Sequence, residues 1–183
     1  MKEASLMVAQ LMAASMQTAP KAGGKDFLEV VVVSEAEALQ RLSRRMVEYA
    51  PLSSNEAYWR RDAANIAACD ALVLVGLQRF TTAAYDCGGC GFPTCAEFAD
   101  KRAAQEKEMG YSGPHCVMRM MDIGAALVSA AKTAGLLNID NRVQQRVGAA
   151  ARDLGMIKAE VVMGIPIGVF GKNIFFDRQV AKH

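Results

Sequence analysis

Histidine is nearly missing from this chain: His115 and His183 are the whole complement in 183 residues. Histidine-based acid–base catalysis has little to work with, and no Ser-His-Asp set stands out. Phosphate-cradling glycine patterns are missing as well, since neither a Walker loop nor a dinucleotide fingerprint occurs. Neither sign of charge is in excess, with 21 Lys and Arg against 19 Asp and Glu and a formal net charge of +2. That balance leaves no strong field to draw in nucleic acid or anionic lipid. Aromatic residues make up only 7% of the chain, so the core must come from Ala, Val, Leu and eleven Met, which suits closely packed helices. The apolar run 123–137 is too short to cross a bilayer and carries Lys132. The opening segment has an apolar middle, but Glu3 and Gln10 interrupt it and its Met, Ala and Leu recur at helical spacing. It reads as a first helix rather than an export signal. The expectation is a cytoplasmic protein with no nucleic-acid or membrane partner, in a compartment where clustered cysteines hold metal or do redox chemistry.

What is present alternates between helix and strand patterns. Leu6, Ala9, Met12, Ala13 and Met16 predict an amphipathic helix over 3–18, stopped by Pro20 and the Gly23-Gly24 pair. "FLEVVVV" reads as a strand suited to a sheet covered on both faces. Helices follow over 35–49 and 56–68, with a loop at 51–55, and 69–77 is a second buried strand. Thr94 with Glu97 fits a capping box that opens a helix running to about Gly110. Pro114 suits the start of a further helix over 115–134, apolar nearly all round, with Gly135 as its C-terminal cap. Asp140 or Asn141 caps a shorter helix that ends at Gly155, and "AEVVMGIPIG" is a third strand. The tail from Val169 would add an edge strand or reach a neighbouring subunit. Helices outweigh short apolar strands, which gives a layered α/β or α+β fold with a covered sheet.

The chemistry concentrates in "YDCGGCGFPTCAEFAD". Cys87, Cys90 and Cys95 lie within nine positions, and Cys116 completes the spacing Cys-x2-Cys-x4-Cys-x20-Cys. Four thiolates with short Cys spacings are how a loop wraps an iron–sulfur cluster, and Gly88, Gly89 and Gly91 let the backbone approach. The predicted elements put Cys95 at the first position of one helix and Cys116 in the first turn of another, so two helix N-termini would face an anionic cluster. Two other readings stay open at this point. A structural zinc site also takes four Cys, although the second Cys-x2-4-Cys pair is missing, and Cys87 with Cys90 could form a redox-active dithiol. Cys69, at the start of an apolar strand, reads as a small hydrophobe outside the site. His115, beside Cys116, is read as tuning the site or merely exposed. Arg119, Asp122 and Lys132 are read as charges that pair on a buried helix, or else face a pocket.

"CGGCGFPTCAEFA" resembles the four-cysteine [4Fe-4S] domain of electron-transfer complex subunits and of the corrinoid iron–sulfur protein. Over nearly its whole length the chain resembles the uncharacterised prokaryotic ferredoxin-domain-containing proteins. A second resemblance covers the rest: "LMAASMQTAPKAGGKDFLEVVVVSEAEALQRL", "MMDIGAALVSAAKTAGL" and "AEVVMGIPIG" are similar to the opening, the central helix and the closing strand of flavin-dependent nitroreductases. That likeness implies an α+β, nitroreductase-like three-layer sandwich spanning 1–183 as one domain, with an iron–sulfur segment over 80–117 inserted in it. It also implies an intertwined homodimer with FMN at the interface. The Arg-rich FMN-phosphate segment and the Asn-x-Gln-Pro-Trp stretch of that family are not matched here, so Lys21, Lys25, Lys172 and Arg178 are the candidate phosphate contacts, or else a solvated rim. The resulting expectation is a [4Fe-4S] electron-transfer protein with a redox partner protein, a flavin-linked reductase if FMN also binds. An iron or oxygen sensor and a zinc-stabilised interaction module are the alternatives.

Overall fold

The computed structural model describes residues 1–177. α1 (Lys2–Thr18) buries Val8, Ala9, Met12 and Met16 along one stripe, as the spacing predicts. After a turn at Ala22–Gly24 the chain enters β1 (Leu28–Val33), then α2 (Ala36–Tyr49), α3 (Glu56–Ala68) and β2 (Ala71–Leu77). A long segment with only α4 (Cys95–Lys101) leads to α5 (Val117–Leu136). β3 (Asp140–Asn141), α6 (Arg146–Asp153) and β4 (Val161–Gly168) close the order. The four strands pair antiparallel in the order β1-β2-β4-β3.

β2 is buried at every position, and its alternation divides two cores. Leu72 and Leu74 pack with Leu42 and Met46 of α2, Trp59 and Ile66 of α3, and Val147 of α6. Ala71, Val73, Val75 and Leu77 pack on the opposite side with Met12 and Met16 of α1 and Ile123, Ala126 and Ala130 of α5. A side chain that points the wrong way by one register would leave one core for the other, so the pleat fixes the three layers.

Several expectations are corrected. β1 is an edge strand and half-buried over most of its length, although both of its faces are covered, Val31 and Val33 packing on one core and Leu28, Val30 and Val32 on the other. α4 stops at Lys101 rather than Gly110. Arg102 turns out of the helix (φ −62°, ψ 111°), its Nε donates to the Pro114 carbonyl at 2.7 Å, and its guanidinium pairs with Glu160. Gln105 and Gly113 then bridge as extended chain, so tertiary pairing overrides the helix propensity of "AAQEKE". α5 starts at Val117, three residues past Pro114. It is apolar nearly all round but not buried all round, because Met121, Val128 and Leu136 are exposed. Gly135 lies within α5, and the left-handed residue after the helix is Asn138 (φ 54°). Asp140 and Asn141 pair with β4 instead of capping α6. Residues 169–177 form no strand; Phe175 is buried against Phe170 at 5.6 Å between ring centres.

Candidate metal centre

The run between β2 and α5 folds around its cysteines. Cys87, Cys90, Cys95 and Cys116 all line one pocket, with Phe92 and Phe98 as its apolar wall. Cys116 is buried, Cys90 and Cys95 are half-buried and Cys87 is exposed. The loop reaches this shape through left-handed backbone at Gly88 (φ 70°) and Gly91 (φ 84°), where a side chain would be strained. Gly89 is held by closeness instead, since a Cβ there would lie 2.6 Å from Val117 Cγ1.

The helix starts bear on the thiols differently from the sequence expectation. Cys116 is the residue before α5 and not in its first turn. The leading N–H of α5, that of Val117, donates to Cys90 Sγ at 3.2 Å, and the Cys90 thiol faces the His115 carbonyl at 3.8 Å. Burial pushes the Cys90 thiol up, while the Val117 N–H pulls the other way. Cys95 does open α4, but its N–H is occupied by Asp86 Oδ1 at 2.6 Å. One helix start, not two, therefore addresses the sulfurs, and it addresses Cys90.

Thr94 caps α4 as expected, its Oγ1 accepting from the Glu97 N–H at 3.1 Å. Glu97 itself turns to Lys101, so only half of the capping box forms. Thr94→Ala should make the amides of α4 exchange roughly 5-fold faster, the loss of about 1 kcal/mol for an N-cap. Unchanged exchange over residues 95–101 would show that the cap contributes nothing.

The surrounding shell was not visible in the sequence. Phe80 packs edge-on to Phe98 at 5.1 Å, and Phe92 stacks on Phe98 at 5.1 Å. Arg102 lies 4.3 Å over the Phe80 ring. The His115 side chain is buried, with Nε2 3.1 Å from Glu160 Oε2, and burial holds its imidazole below the usual value against the pull of Glu160. It is thus an inward-facing support, not an exposed residue. Arg152 ties the same arm down by donating to the Lys107 and Glu160 carbonyls at 2.7 and 2.8 Å.

The donor set fits a cluster. Four thiols face one space, yet among the described residues no three His, Cys, Asp or Glu side chains are gathered as ligands of one metal ion. A polynuclear cluster takes one thiolate at each of several irons and so accepts a wider setting than four sulfurs about 2.3 Å from one zinc. Cys69 stands apart, as expected: it is buried, its thiol faces the Ile66 carbonyl at 3.2 Å, and burial pushes it up to about 12. In metal-free protein near pH 8, alkylation should modify Cys87 and spare Cys69 until the chain unfolds. Early labelling of Cys69 would contradict its placement.

The candidate phosphate contacts Lys21, Lys25 and Lys172 lie in different settings. The Lys21 ammonium caps α1, donating to the Met16, Gln17 and Ala19 carbonyls at 2.8 Å each. Helix capping accounts for this residue without a phosphate. Lys25 is exposed, Lys172 pairs with Asp177 at 2.9 Å, and Arg178 lies outside the described residues. No described helix is long and apolar enough to cross a membrane.

A cysteine-lined segment is thus set into a three-layer sandwich, and both the segment and the sandwich have counterparts among known proteins. A nitroreductase with bound FMN from Desulfitobacterium hafniense superposes with a TM-score of 0.59 at 13% identity, covering 91% of this chain and 78% of that one. One from Bacteroides fragilis, also with bound FMN, gives 0.58 at 14% identity over 96% and 83%. At that identity the likeness is one of fold. A family model described as "Uncharacterized protein containing a ferredoxin domain" matches residues 112–178, and one described as "Putative Fe-S cluster" matches residues 84–110. An "Uncharacterized protein" of Archaeoglobus fulgidus is 39% identical over 176 residues, 96% of this chain and 92% of that protein. The chain belongs to this family of ferredoxin-domain proteins.

Proposed function

We propose that the chain is an electron carrier holding one [4Fe-4S] cluster through Cys87, Cys90, Cys95 and Cys116. The observation that supports it is the pocket lined by all four thiols, with the Val117 N–H directed at Cys90 Sγ. N–H donors to ligating sulfur stabilise the added charge of the reduced cluster and so raise its potential. The exposed Cys87 edge is where a redox partner protein would exchange electrons. The family model over residues 84–110 supports the same reading.

A flavin relay is the extension of this proposal. It rests on the likeness to FMN-containing structures, and phosphate contacts would fall to Lys25, Lys172 or Arg178, since Lys21 is occupied. A bound flavin would supply hydride or two-electron chemistry to a substrate, with the cluster feeding it electrons. The homodimer belongs to this proposal too: Met7 and Leu11 of α1 and Met121 and Val128 of α5 are exposed on the two helices that pack together, a surface that a second copy would cover. We place the protein in the cytoplasm, where its thiols stay reduced.

The test is an anaerobic redox titration. Reversible one-electron bleaching of the visible absorption is expected, with a yellow chromophore released by acid if flavin is bound. Irreversible loss of colour on the first oxidation would favour the sensor, and no colour at all would favour the zinc module.

A further inference from the structure

We infer that Cys90 and Cys116 close a reversible disulfide in metal-free protein, a redox lock that joins the glycine loop to the start of α5. The bond itself does not depend on the cluster reading above; its consequence for loading does. The Cys90 sulfur lies against the backbone on both sides of Cys116, 3.2 Å from the Val117 nitrogen and 3.8 Å from the His115 oxygen. It is also within hydrogen-bonding reach of the Cys116 thiol, whereas Cys87 acts on it only from farther off. The thiol that meets Cys90 is therefore remote in sequence, and is not the Cys87 that the Cys-x2-Cys spacing suggests. The tight turn between Cys87 and Cys90 explains why. The Gly91 N–H closes it on the Gly88 carbonyl at 3.0 Å, and Cys87 Sγ sits beside Gly89, 3.7 Å from where a Cβ there would lie.

Burial orders the chemistry. Cys90 is half-buried and Cys116 is buried, so an oxidant from solvent reaches Cys90 first and Cys116 resolves the product. With a hydroperoxide as oxidant, the Cys90 sulfur takes the near oxygen of hydrogen peroxide, the O–O bond breaks, and the first water leaves with the Cys90 thiol proton's place taken by the sulfenic acid. The Cys116 sulfur then attacks the Cys90 sulfur; the S–O bond breaks, the S–S bond forms, and the Cys116 proton departs in a second water. Two thiols are oxidised by two electrons, and one peroxide is reduced to two waters. The bond traps the sulfenic acid before it can go on to the irreversible sulfinic form, and it restrains residues 91–115 as a closed loop in place of a metal. Two ligands are then withheld until a dithiol reductant returns them, which ties loading of the site to the supply of reducing thiols.

The test uses wild-type protein stripped of metal by a chelator without oxygen, treated with stoichiometric hydrogen peroxide, and mapped by differential alkylation and mass spectrometry. Cys90 and Cys116 are expected to resist alkylation until a dithiol is added and to be recovered as one linked peptide, while Cys87 and Cys95 stay open to the reagent. The oxidised protein should take up no iron and sulfide until it is reduced. Cys116→Ser, given excess peroxide, should instead carry sulfinic acid at Cys90; if that variant fails to fold, the wild-type map decides alone. A Cys87–Cys90 bond, or no disulfide at all, would overturn the lock while leaving the cluster reading intact. Wild-type protein that never holds iron and sulfide would overturn the cluster reading, and the same map would still decide the disulfide.

Discussion

Cys90→Ser, purified without oxygen, is expected to carry only background iron and acid-labile sulfide, whereas Cys69→Ser keeps the wild-type content of both. Cys90 is the ligand on which the site's local geometry turns: it receives the first N–H of α5 and faces the His115 carbonyl, so it joins the glycine loop to the chain at Cys116. A serine oxygen is a harder donor with a much higher proton affinity than a thiolate and does not hold iron of a cluster comparably. Without the cluster the loop is bounded mainly by Phe92 and Phe98 and by glycines, so the apo protein should be digested first within residues 84–96. Cys69 separates a ligand effect from a general cysteine effect, because its thiol faces the Ile66 carbonyl within the core shared by α2, α3 and α6, outside the cysteine pocket. Full iron in Cys90→Ser would remove Cys90 from the ligand set.

Gly148→Ala is expected to be the most damaging small substitution in the scaffold. A Cβ at that position would lie 2.0 Å from the Val162 oxygen and 2.4 Å from the Val162 carbonyl carbon. These are backbone atoms of the central strand β4, so no rotamer change relieves the clash and α6 must move away from the sheet. Val147, Ala149, Ala150 and Ala151 are buried on the same helix and would lose packing together. Overpacking typically costs about 1–3 kcal/mol, and a backbone clash belongs at the upper end. That corresponds to a fall in Tm of roughly 6–12 °C for a chain of this size. Gly135→Ala is the contrasting case, since nothing lies within 4 Å of a Cβ there. It should stabilise α5 by about 0.5–1 kcal/mol through helix propensity. A Gly148→Ala protein as stable as wild type would contradict the close approach of α6 to β4.

The features legible in the sequence are those written in short-range pattern. The Met and Ala spacing of α1, the unbroken apolar run of β2 and the cysteine spacing each need only neighbouring residues, and each is found where the pattern puts it. The features that were missed depend on distant partners. α4 ends early because Arg102 meets Glu160, 58 positions away, and no window around residues 101–110 contains that information. The same holds for Phe80 against Phe98 and for His115 against Glu160. Asp86 carried a local signal, an Asx residue beside a cysteine at a turn, and could have been anticipated as the partner of the Cys95 N–H. Gly135 was misread as a cap because Asn138 also tolerates the left-handed region and lies at the actual reversal of the chain.

The most direct measurement is the iron, zinc and acid-labile sulfide content per chain of wild-type protein purified without oxygen. About four iron and about four sulfide are expected if Cys87, Cys90, Cys95 and Cys116 hold a [4Fe-4S] cluster. One zinc and no sulfide would contradict it.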